Sequence, residues 1–132
     1  MDETPAFKPG LTAQVELTVS EADTAQWLGS GDVPVLGTPR VLALAEAATV
    51  AATARQLPSG TTTVGTRADV QHLAPTPVGR RVTARATLTG VDGRTLVFDV
   101  LLRAGDRVVA EVRVERAVLD RQRFIQRALD TP

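Results

Sequence analysis

An α+β architecture, one curved antiparallel sheet wrapped around one long helix, is predicted by three features of the sequence. Only one long stretch, beginning at Thr38, has the composition of a core helix. One segment of strand alternation precedes it and four follow it. A lone sheet layer folded around one helix leaves a wide flank uncovered, so a homodimer with a continuous sheet is expected as well.

The first strand is read from Ala13, Val15, Leu17 and Val19, which alternate with Gln14, Glu16 and Thr18. Ser20 to Leu36 mixes Gly, Asp and Pro with apolar residues and reads as a loop holding one turn of helix, with a mobile tip. Thr38-Pro39 then gives a helix start, because a threonine hydroxyl can accept from a free amide and proline suits the first turn. The helix is expected to run to about Leu57, with Pro58-Ser59-Gly60 ending it. Its polar face is narrow, so other structure should surround it.

In the second strand the period of two places Val64, Thr66, Ala68, Val70 and His72 on one face. The third buries Val82, Ala84, Ala86 and Leu88, and Asp92-Gly93 turns the chain. The fourth buries Leu96, Phe98, Val100 and Leu102, Gly105-Asp106 makes the next turn, and the fifth buries Val108, Ala110, Val112 and Val114. A short basic helix from about Asp120 to Leu129 closes the chain. Mostly a meander around one helix, this is the arrangement of a hotdog fold.

Composition narrows the function. The 132 residues, 43% of them hydrophobic, suit a single domain spanning residues 1–132 with one core. A net charge of zero gives no basic field for nucleic acid. With no cysteine and one histidine, thiolate chemistry and a zinc site built by this chain are excluded, and neither metal nor cofactor is expected. The apolar run Val41 to Ala54 is broken by Glu46, Thr49 and Thr53 and falls short of the roughly 20 residues of a membrane span. The start Met-Asp-Glu-Thr-Pro is neither basic nor apolar, so a cytoplasmic protein without membrane contact is expected.

Three residues carry candidate chemistry. Glu46 lies between apolar turns, where a carboxylate needs a partner or a proton; alternatively it belongs to a thin polar stripe with Thr49 and Thr53. His72, the sole histidine, has the parity of the helix-facing side and is either a satisfied core residue or an acid–base group. Thr38 is explained by capping alone, or by a hydroxyl that a neighbouring base activates. Eight residues separate it from Glu46, which leaves the two side chains about 80° apart and two turns distant, with room for a carbonyl between them. The first amides of the helix, at Gly37 and Thr38, suit an oxyanion. Arg80, Arg81, Arg113, Arg116, Arg121, Arg123 and Arg127 read as solvated surface, with the phosphates of a coenzyme as the alternative.

At these residues the sequence resembles the fluoroacetyl-CoA thioesterase family, a branch of the hotdog thioesterases. The resemblance covers nearly the whole chain and rests on Gly37-Thr38, Leu-Ala-Glu46-Ala, Val-Gly65-Thr, His72 in His-Leu-Ala-Pro-Thr-Pro-Val-Gly79, and Glu115-Arg116-Ala117-Val118 followed by Phe124. It implies hydrolysis of an acyl-CoA thioester, with CoA entering as part of the substrate, and a catalytic Thr38, Glu46 and His72. Either Thr38 or Glu46 would carry the nucleophilic step. Gly65 would line the acyl pocket. The family enzyme has aromatic residues there, whereas this chain has none between Trp27 and Phe98, and Arg40 replaces one of them. A different acyl group, larger or more polar and in contact with Arg40, is therefore expected. Two other readings remain: a hotdog hydratase or dehydratase, to which Thr38 offers nothing obvious, and a non-catalytic acyl-CoA-binding module.

Overall fold

The computed structural model describes residues 7–132. Five strands, β1 (Thr12–Thr18), β2 (Thr61–His72), β3 (Arg81–Asp92), β4 (Thr95–Ala104) and β5 (Arg107–Asp120), form one antiparallel sheet in the order β1-β3-β4-β5-β2. The central three are the expected meander, and β1 and β2 are its edges. A 3-10 turn (Glu21–Asp23) and a four-residue helix α1 (Ala25–Leu28) lead into the long helix α2 (Thr38–Thr53), and α3 (Arg121–Asp130) ends the chain.

The core lies between α2 and the concave face of the sheet. Val41, Leu44, Ala45, Ala48 and Ala52 pack into a cluster with Val82, Ala84, Ala86, Leu88, Leu96, Phe98, Val100 and Leu102. Alanines on the buried side of α2 let the helix sit close to the sheet, and the larger strand residues fill the space around it. Bulges between Leu88 and Gly90, Gly65 and Arg67, and opposite Leu102–Arg103 bend the strands around the helix.

Four expectations change. Helix α2 ends at Thr53 rather than near Leu57; the chain tightens there, with Gln56 N donating to Thr53 O, before Pro58. Thr49 and Thr53 are not a solvated polar stripe but are buried, their hydroxyls donating back to helix carbonyls, Thr49 to Glu46 O and Thr53 to Val50 O. In β5 an extra residue makes Val109, not Val108, the fully buried valine. In β2 the extra residue is Thr66, so the face that carries His72, Val70 and Ala68 continues through Gly65 and Thr63, opposite inward-facing Arg116 and Val118, instead of through Thr66 and Val64.

Candidate active site

Gly37 is the N-cap of α2 and Thr38 its first helical residue, so the Thr38 hydroxyl does not cap the helix. It meets His72 Nδ1 at 2.9 Å instead, across from the end of β2. Gly37 is fixed by close approach: a Cβ there would stand 3.0 Å from the Ala25 backbone. Its amide donates to Asp23 O at 2.9 Å, which removes it as an oxyanion donor. The Thr38 amide has no acceptor among the described residues, as expected for the first N–H of a helix, and keeps that capacity.

His72 is half-buried. Burial holds its pKa below the ordinary histidine value, with the nearby Ala74 backbone favouring the charged ring and opposing the shift only in part. A neutral imidazole beside a hydroxyl at hydrogen-bond distance is the pair a nucleophile and its base require.

Glu46 forms a second centre. Its Oε2 accepts from Arg116 Nη1 at 3.0 Å, and Arg116 also donates from Nε to Thr63 Oγ1 and from Nη2 to Thr63 O, both at 3.0 Å. The arginine side chain is only 6% exposed and the glutamate's 38%. Burial pushes the Arg116 pKa down and Glu46 pulls it back up. Gly65 faces this carboxylate directly, since a Cβ at that position would collide with Glu46 Oε2. Arg116 therefore corrects the expectation of solvated surface: the alternation Val112, Val114, Arg116, Val118 along β5 already placed it inward.

Arg40 donates from Nε to Oδ1 of the buried Asp23 at 2.9 Å. Burial raises the Asp23 pKa, but the Ser20 backbone and hydroxyl together with Arg40 outweigh it and hold the carboxyl below its usual range. Asp23, which sequence reasoning did not single out, thus binds the start of α2 at two points.

Within one chain Thr38 meets His72, and Glu46 meets Gly65 and Arg116. No hydrogen bond or ion pair joins the two groups among the described residues, and two helical turns, about 12 Å of rise, separate Thr38 from Glu46.

Residues 19–122 match the fluoroacetyl-CoA-specific thioesterase family. The chain belongs to this family of thioester hydrolases. Its relatives include the fluoroacetyl-CoA thioesterase of Streptantibioticus cattleyicolor, 37% identical over 90 residues that span 68% of this chain and 65% of that protein. A variant of the fluoroacetyl-CoA thioesterase solved in complex with acetyl-CoA superposes with a TM-score of 0.89 at 28% identity, covering 96% of this chain and 100% of the other. A hot-dog-like protein from Thermanaerovibrio acidaminovorans gives 0.86 at 26% identity over 94% and 92% of the two chains. The hotdog fold is thereby established. No helix among the described residues is long and apolar enough to cross a membrane.

Proposed function

We infer that this protein hydrolyses an acyl-CoA thioester to a carboxylic acid and free CoA, using Thr38, His72 and Glu46. The observation that carries this reading is the 2.9 Å contact between the Thr38 hydroxyl and His72 Nδ1 at the start of α2, in a member of a thioesterase family. His72 takes the Thr38 proton as Oγ1 attacks the thioester carbonyl, and the Thr38 amide receives the oxyanion. The C–S bond then breaks, and His72 returns the proton to the departing CoA sulfur. A water activated by the Glu46 carboxylate cleaves the resulting acyl-threonine ester and restores the hydroxyl. The relative bound to acetyl-CoA supports CoA as the carrier, and a CoA thioester substrate fits an enzyme of the cytoplasm.

The working unit in this reading is a homodimer. Two surfaces of the single chain support it: the free edge of β2, and the outer side of α2, where Ala43, Ala47, Val50 and Ala51 are exposed. Antiparallel pairing of two β2 edges about Ala68 and Asp69, midway between Gly65 and His72, brings the Glu46 centre of one protomer toward the Thr38 and His72 centre of the other. Neither chain then holds a complete site alone.

The test is thiol release from a panel of short, branched and aromatic acyl-CoAs, with mass spectrometry of the trapped enzyme. Cleavage by the wild type, and an acyl adduct on the Thr38 peptide that builds up in Glu46→Gln, are expected. Cleavage retained in Thr38→Ala would refute Thr38 as nucleophile, and no cleavage of any acyl-CoA would refute the activity.

A further inference from the structure

Asp23 bonds to the chain on both sides of Thr38. Its carbonyl accepts from Gly37 N at 2.9 Å, one residue before Thr38, and its Oδ1 accepts from Arg40 Nε at 2.9 Å, two residues after it. The other carboxylate oxygen, Oδ2, accepts from Ser20 N and Ser20 Oγ, both at 2.8 Å, close to the end of β1. Ala25 N donates to Val35 O at 2.8 Å, so Thr24 and Leu36 face each other as a short antiparallel bridge beside this bracket. Asp23 is 8% exposed, and a carboxylate so placed needs partners on both oxygens, which Ser20 and Arg40 supply. Arg40 needs the carboxylate in turn, because it stands in the first turn of α2, where the helix dipole disfavours a cation.

We propose that Asp23 is a positioning residue for Thr38: it fixes the start of α2 through Gly37 and Arg40, and so sets the Thr38 hydroxyl against His72 Nδ1. That 2.9 Å contact joins residues 34 apart in sequence, so it holds only where the first turn of α2 stands correctly against the end of β2. An amide cannot replace the carboxylate. Ser20 N and Arg40 Nε are both donors and sit on different oxygens, whereas asparagine offers one oxygen and turns its NH2 toward one of the two. Asp23→Asn therefore keeps the size and shape of the side chain and loses one arm of the bracket. The catalytic consequence, which rests on the thioesterase reading, follows from placement: a shift of about 1 Å in a reacting group can lower a rate by up to about a hundredfold.

The sole histidine reports on the contact directly. The NMR signals of the His72 ring in the wild type and in Thr38→Ala give two limits, with the hydroxyl present and absent. Asp23→Asn is expected to move the signals toward the Thr38→Ala limit, and to add no further shift in the Thr38→Ala background. Signals unchanged in Asp23→Asn, or an equal shift in both backgrounds, would overturn the proposal. Arg40→Ala removes one arm from a partly exposed site and should move the signals the same way. It decides where the asparagine variant fails to fold, and unchanged signals there would also count against positioning. Only the kinetic arm rests on the thioesterase reading: in Asp23→Asn kcat should fall about tenfold or more with KM unchanged. A lower stability with kcat intact would make Asp23 a structural residue alone, whereas failure of the thioesterase reading leaves the spectra untouched.

Discussion

Arg116 holds Glu46 Oε2 at 3.0 Å from a buried position, while the carboxylate keeps an open side. The asymmetry separates what each substitution does. Glu46→Gln still offers an oxygen to Arg116, so the fold should survive while turnover falls at least ~100-fold if the carboxylate is the base. Glu46→Ala removes the acceptor from a buried guanidinium and should cost a further 1–3 kcal/mol or so. Urea unfolding of the two variants beside their steady-state rates checks both statements; equal stability of the glutamine and alanine variants would show that the ion pair does not hold the fold.

Gly65 is a position of close approach rather than of backbone strain. Its φ is not positive, yet an added methyl would overlap the Glu46 carboxylate. The carboxylate is the end of a flexible side chain and can move, so Gly65→Ala should change stability by no more than about 1 kcal/mol. The displaced carboxylate should lower turnover tenfold or more. A variant with wild-type turnover would mean that Glu46 is not held where it acts.

Thr38 separates capping from chemistry. A threonine at the N-cap contributes about 1 kcal/mol of stability, but here Gly37 caps the helix and the hydroxyl faces His72. Thr38→Ala should therefore lose activity with a smaller stability loss than a cap would show, and Thr38→Ser should keep both. Matched thermal unfolding and thiol-release assays would decide; a large loss of stability with turnover intact would return Thr38 to a structural role.

Much of this was legible because burial writes itself into the strands as a period of two. The inward residues of β3 and β4 follow strict alternation, and all are buried. Alternation fails at bulges, which insert one residue and invert everything beyond, and nothing in Gly65-Thr66-Arg67 announces one. That is why the face of His72 was read through Val64 and Thr66 instead of Gly65 and Thr63. The partner of Glu46 was obscured by composition: arginine is so frequent here that Arg116 looked like surface, although its parity with Val114 and Val118 placed it inside. Asp23 lies in a single 3-10 turn, where no period indicates burial and only the folded chain brings it to Gly37 and Arg40.

The last prediction concerns pH, and the single histidine makes it assignable. Burial lowers the His72 pKa from 6.5, with the Ala74 backbone opposing. The neutral ring is the form that accepts the Thr38 proton, so the acid limb of kcat/KM should lie below 6.5. Stability follows with a definite sign. In the unfolded chain the imidazole takes its proton first as the pH falls, so the unfolded state binds more protons between 6.5 and the lower folded value. The contribution of the neutral ring is thus present above 6.5 and is lost progressively below it, until the folded ring also protonates. Urea unfolding across this window should give a slope in the wild type that is missing from His72→Gln. An acid limb at or above 6.5, or the same slope in both proteins, would show that His72 is not the buried neutral base.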